Sequence, residues 1–332
     1  MDAIDTSVNA RGAFIARLKP GWHGLGEVRP EWTMEQILEH PGMAFRVALE
    51  NLTTDSGKVV PGKYATVRDD TLAPLDIVGS RYTVIQHTDE FKLFDEVLAP
   101  AGYLYETAGV LYGGAQVFLL AKRPENIMIA EGDEVRQFLL FQFSYDGRSM
   151  QRVKTVAERV VCANTLAVAL NEKGTRFDYS IRHTASAQEK LQDVRDALVE
   201  TTSAFERFEQ QAKRLAGQDA TERDMVKTMQ AVVLEAYGET PSSDEAVARY
   251  RKAVQALTDE VGEKLTQPNQ LVGGIAGTKW SLYNAISEWA DHTFAQGVKG
   301  SLRAKQERRF VSTISGHAHS IKQAAWRNLL AA

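Results

Sequence analysis

The feature that most constrains this chain is a change of pattern near residue 184. Before it, short apolar runs alternate with turn residues. After it, residues 185–263 are rich in Ala, Glu, Gln, Lys and Arg, with apolar side chains at helical spacing. Short runs closed by tight turns read as strands joined to their neighbours, and such strands pair antiparallel. Long stretches of strong helix formers carrying an apolar stripe read as amphipathic helices. The expected architecture is therefore α+β. An antiparallel sheet packed with helices occupies 1–184, and a largely helical half with a basic C-terminal segment occupies 185–332. The 332 residues are enough for two such domains.

Local signals fill in the first part. Thr33 to His40 reads as a short helix stopped by Pro41, and 43–86 as strands. Thr88 caps a helix through Phe91, Phe94 and Leu98, which Pro100 ends. Tyr103 to Leu111, the Gly113-Gly114 turn and Ala115 to Lys122 make a hairpin, and Val135 to Ser144 a third strand. Ser144-Tyr145-Asp146-Gly147 is a turn, since Gly accepts positive φ and Asp bonds its own backbone. Thr155 with Glu158 three residues on matches a capping box, and Val156, Val160, Ala163, Ala167 and Leu170 recur at helical spacing. That predicts a helix over 155–171. The core order is strand, strand, helix, three strands, helix.

Composition excludes several functions. The single cysteine, Cys162, allows no internal disulfide and too few thiolates for a structural zinc or iron–sulfur site. The N-terminus is polar and no run approaches a membrane span, so the expectation is a cytoplasmic protein with no membrane partner. No cofactor motif is complete. Gly277-Thr278-Lys279 reverses the Gly-Lys-Ser/Thr order that a phosphate loop needs. Glu288, Asp291 and His292 share a helical face, and with His183 they define the alternative reading, a metal-dependent enzyme acting on nucleic acid.

The basic groups point elsewhere. One set is Arg148, Arg152, Lys154 and Arg159, with Tyr145 beside it. The other is Lys299, Arg303, Lys305, Arg308 and Arg309, continuing to Lys322 and Arg327 with Phe310 and Trp326 nearby. Cations hold phosphates and aromatic rings stack on single-stranded bases. A helix starting at 155 would add its N-terminal dipole to the first set. Together these residues form the candidate nucleic-acid-binding site, with no catalytic residue required.

Several segments resemble a family carried by phages and plasmids, the "phage/plasmid-like" proteins with a domain of unknown function. The matching stretches are Gly21-Trp22-His23-Gly24-Leu25-Gly26, Tyr82-Thr83-Val84-Ile85-Gln86, Ser144-Tyr145-Asp146-Gly147, Arg159 to Leu166, Arg182-His183-Thr184 and Gly277-Thr278-Lys279-Trp280 through Asp291-His292. The order of elements is also similar to the core of single-strand annealing proteins of the RecT and Red beta kind. That resemblance implies a homo-oligomer that binds single-stranded DNA, promotes annealing in recombination and works with a recombination exonuclease. The helical interaction protein of a mobile element remains a further alternative.

Overall fold

The computed structural model describes residues 6–7, 10–11, 15–16, 27–28, 32–147, 152–159, 164–166, 178–180, 187–238, 241–294, 310–313 and 316–332. Four two-residue strands come first: Thr6–Ser7 (β1), Ala10–Arg11 (β2), Ile15–Ala16 (β3) and Glu27–Val28 (β4). The helix α1, Met34–Glu39, follows. Thr33 caps it, accepting from the Gln36 backbone while the Gln36 side chain returns to Thr33 N–H, a reciprocal capping box.

Val47–Thr53 (β5), Val59–Arg68 (β6) and Pro74–Gly79 (β7) form a three-stranded antiparallel sheet in that order. After α2 (His87–Leu98) come Leu104–Leu111 (β8), Gln116–Lys122 (β9), Ile127–Ala130 (β10), Asp133–Ser144 (β11), Arg152–Arg159 (β12), Asn164–Leu166 (β13) and Asp178–Ser180 (β14). The main sheet runs β13-β12-β11-β9-β8-β3-β4, with β10 on β11 and β14 on β12. Every pairing in it is antiparallel except β3 with β4.

Helices then dominate: α3 (Ala187–Ala216), α4 (Glu222–Tyr237), α5 (Asp244–Leu265), α6 (Lys279–Glu288) and the C-terminal helix His317–Ala331. Thr221, Ser243 and Thr278 cap three of them. The expected α+β class, antiparallel sheet first and helical half second, is therefore the observed one.

One element differs. The helix expected over 155–171 is strand β12 at 152–159 and strand β13 at 164–166; residues 160–163 and 167–171 lie outside the described residues. β12 pairs with β11 from Gln142↔Arg152 to Val135↔Arg159. The ladder satisfies backbone groups that β11 would otherwise leave unpaired, and Val153, Thr155 and Val156 suit a strand. No helix begins at 155, so no helix dipole serves the basic turn.

Alternation along β11 divides the core. Leu139, Phe141 and Phe143 face α2, whose Phe91, Phe94 and Leu98 are fully buried against them. The Phe94 and Phe141 rings lie 4.8 Å apart. Val135, on the same face, joins Ile127, Ile129 and Ala157 to Phe205, Phe208, Met229, Trp280 and Trp326 of the helices. Helices from both halves of the chain thus cover one face of the sheet. Phe138 and Leu140 point to the other face, where Leu111, Phe118, Leu120 and Val156 surround Phe310.

The three-stranded sheet is tied on by Arg68. Its guanidinium pairs with Asp70 at 2.7 Å, donates to Gly113 O at 2.9 Å and lies 3.9 Å over the Phe45 ring. Gly114, at φ +107°, passes so close that a Cβ would sit 2.9 Å from Arg68 Nη1. Only glycine fits there, on both counts.

Candidate functional site

The Ser144–Gly147 turn and its surroundings hold the first group of expected residues, and most of them point inward. Tyr145 is 1% exposed. Its hydroxyl lies 2.8 Å from His87 Nδ1 and accepts from the His87 backbone N–H at 2.9 Å. His87 Nε2 is 2.8 Å from Met43 O. A carbonyl can only accept, so Nε2 carries the proton and Nδ1 receives the Tyr145 hydroxyl. Burial holds the imidazole at about 4, well below its usual value, and pushes the Tyr145 phenol up. Tyr145 is therefore a post in the core and offers no ring to a passing base.

Arg159 is fully buried. Its Nε meets Asp133 Oδ1 at 2.5 Å, and Asp133 Oδ2 accepts from Trp280 Nε1 at 2.6 Å. Arg159 Nη1 continues to Gln270 Oε1 at 3.3 Å, and Gln270 Nε2 to Glu288 Oε2 at 3.2 Å. Glu288 also receives Asn269 at 2.8 Å and Lys264 at 3.3 Å. This network fastens β11 and β12 to α6 and the loop before it. Sequence reading found Arg159, Trp280 and Glu288 but not the link between them. Asp133 was missed because nothing local marks it.

Lys154 is 6% exposed and stands opposite Leu140 in the ladder. Arg152 opens β12 opposite Gln142. Lys154 belongs to the face bearing Phe138, together with Lys122, Arg136 and Glu158. Arg136 Nη2 lies 2.8 Å from Glu158 and Nη1 3.6 Å from Glu106. Burial pushes the Glu158 carboxyl up to about 7, against the pull of Arg136. Arg148 and the set Lys299, Arg303, Lys305, Arg308 and Arg309 lie outside the described residues. Phe310, which directly follows that set, packs on Phe118 with ring centroids 4.7 Å apart.

Two residues of the enzymatic alternative, Glu288 and Asp291, are engaged elsewhere. Asp291 holds Lys322 at 2.7 Å in a buried pair, Glu288 belongs to the network above, and His183 lies outside the described residues. Among the described residues no group of three His, Cys, Asp or Glu is placed to hold a metal ion. The glycine-rich loop at 267–277 is packing, since Gly273 lies against the Glu131 carbonyl. Among the described residues, no helix is long and apolar enough to cross a membrane.

A family model, DUF932, described as a domain of unknown function, matches residues 74–317, from β7 to the start of the C-terminal helix. The chain belongs to the DUF932 family. No curated protein and no solved structure matches it. The DUF932 match contains the whole Asp133–Arg159–Trp280 network and the Ser144–Gly147 turn, and it leaves β5 and β6 outside.

Proposed function

We propose that this DUF932 chain is a non-catalytic nucleic-acid-binding protein that holds single-stranded DNA mainly through its phosphates and promotes annealing in phage or plasmid recombination. The observation that carries the binding half is the seat of Phe310 on Phe118. Phe310 directly follows the Lys299–Arg309 set in the chain, and it sits on the sheet face that bears Lys122, Arg136 and Lys154. Annealing itself, homo-oligomer formation and a recombination exonuclease as partner rest on the resemblance to annealing proteins. Buried Arg159 and Tyr145 serve this role only by shaping the fold.

The test is fluorescence anisotropy of labelled single-stranded and duplex oligonucleotides at several salt concentrations. If the five cations of 299–309 each meet a phosphate, the slope of log K against log salt on single strands is about −3.5, and Arg308→Gln/Arg309→Gln makes it shallower by about 1.4. Lys154 is a poor target, because a change there disturbs the sheet before it disturbs binding. Absence of binding at low salt would sink the proposal, as would a double variant with unchanged affinity.

A further inference from the structure

The Ser144–Gly147 turn does more than seat Tyr145. Among the described residues, a cleft of about 540 Å³ opens between this turn and β7. Its walls are Gly62, residues 77–82, Asp146 and Gly147. Three glycines put bare backbone on the walls, as suits a place where a ligand approaches closely. A Cβ on Gly147 would lie 2.9 Å from Val78 Cγ1, whereas one on Gly62 or Gly79 would meet nothing within 4 Å. Gly147 thus closes the floor, and the other two leave the walls open.

The side chains around the cleft are of three kinds. Ile77 is 52% exposed, a large apolar surface with no cover. Tyr82 is half-buried and donates its hydroxyl to Ser144 O at 3.3 Å. Burial pushes that phenol up to about 12, so it stays neutral. Exposed Arg81 supplies a cation, and half-buried Asp146 a carboxylate. By covalent continuity the basic turn beginning at Arg148 starts one residue beyond the Gly147 wall.

Such walls suit a flat ligand with an anion on one side and N–H donors on another. A nucleotide has all three parts: a phosphate, a stacking face and, in three of the four bases, an exocyclic amine. We propose that this cleft receives one nucleotide of a bound single strand. Its phosphate lies beside Arg81, its base rests on Ile77 between the glycine walls, and its amine donates to Asp146. This inference rests on the nucleic-acid reading above and adds a site to it. Cytosine presents an N4 amine and thymine presents none, so a modest preference for cytosine is superimposed on salt-dependent phosphate binding.

The experiment compares oligo(dC) with oligo(dT) of equal length, by anisotropy at one salt concentration, on the full chain. The expected result is severalfold tighter binding of oligo(dC), a ratio that falls to one in Asp146→Ala, and weaker binding of both strands in Ile77→Ser. Equal affinities in the parent, or a preference that survives Asp146→Ala, would overturn the cleft while strand binding stands. Failure to bind either strand overturns the parent reading and the cleft with it. Asp146 stands in the turn that seats Tyr145, so each variant is also melted. If Asp146→Ala loses the fold, Asp146→Leu keeps about the size of the side chain, removes both acceptor oxygens and reads the same ratio.

Discussion

His87 and Glu158 are buried titratable groups whose demands on the fold run in opposite directions. Burial holds His87 at about 4, below its ordinary 6.5, so the unfolded chain binds the extra proton between those values. Its contribution to stability is present above 6.5 and is lost as pH falls through 4. Burial raises Glu158 from 4.5 to about 7, so there the folded chain keeps the proton. That contribution is present below 4.5 and is lost as pH rises through 7. Each displacement corresponds to roughly 3 kcal/mol, so between pH 4.5 and 6.5 the two slopes nearly cancel. Substitution separates them. Raising the pH from 4.5 to 7 should widen the stability gap between the parent and His87→Gln, and should shift Glu158→Gln toward greater stability relative to the parent. Urea midpoints at four pH values measure both changes, and a gap that stays constant for either variant would mean that its side chain titrates as if exposed.

Between elements, the firmest connection is polar. Asp133 on β11 holds Arg159 on β12 and Trp280 on α6, all three buried. Asp133→Asn removes the Asp133 charge from a buried guanidinium, at a cost of about 3–5 kcal/mol. Replacing the unit as a whole, with Asp133→Leu, Arg159→Met and Trp280→Phe, should cost less than that single change, because no charge is left stranded. Urea unfolding of the two variants decides this; a triple variant weaker than Asp133→Asn would mean that the network supplies net stability. Strands β8, β9 and β11 were readable in the sequence because apolar runs ended in Gly-Gly and Asp-Gly turns. Strand β12 was not. Both of its faces are buried, Lys154 and Glu158 included, so polar and apolar residues do not alternate across it. Thr155 and Glu158 then imitated a helix cap that the ladder with β11 overrides. For the same reason the charges of Arg159 and Lys154 read as surface: nothing near them in the chain announces Asp133 or the face of the sheet that Phe310 covers.

At the scale of the whole molecule, the pattern change near 184 marks a change of secondary structure more clearly than a break in the core. The largest apolar cluster takes Ile127, Ile129, Val135 and Ala157 from one side of it, and Phe205, Phe208, Trp280 and Trp326 from the other. Phe208 stacks on Trp326 at 5.2 Å, and Trp326 meets Tyr283 at 4.8 Å, so the aromatic centre of the helical half sits in the cluster that buries one end of the sheet. Separating the halves would expose that cluster and strand Arg159 without Gln270, and Asp133 without Trp280. The helices and the main sheet should therefore open together. The β5-β6-β7 sheet should open earlier, since Leu49, Val59 and Ile77 stand exposed on it and its polar ties to the body run through a few residues, among them Arg68, Thr66 and Val47. Native-state hydrogen exchange tests this ordering. Amides of Leu139 to Phe141 and of Leu282 to Ile286 should exchange through one global opening with one denaturant dependence, and those of β7 through a smaller one. Helical amides that exchange well ahead of β11 would establish two independent units divided near 184. A nucleotide held in the β7 cleft would then depend on the first unit, and phosphates held by the cations of 299–309 on the second.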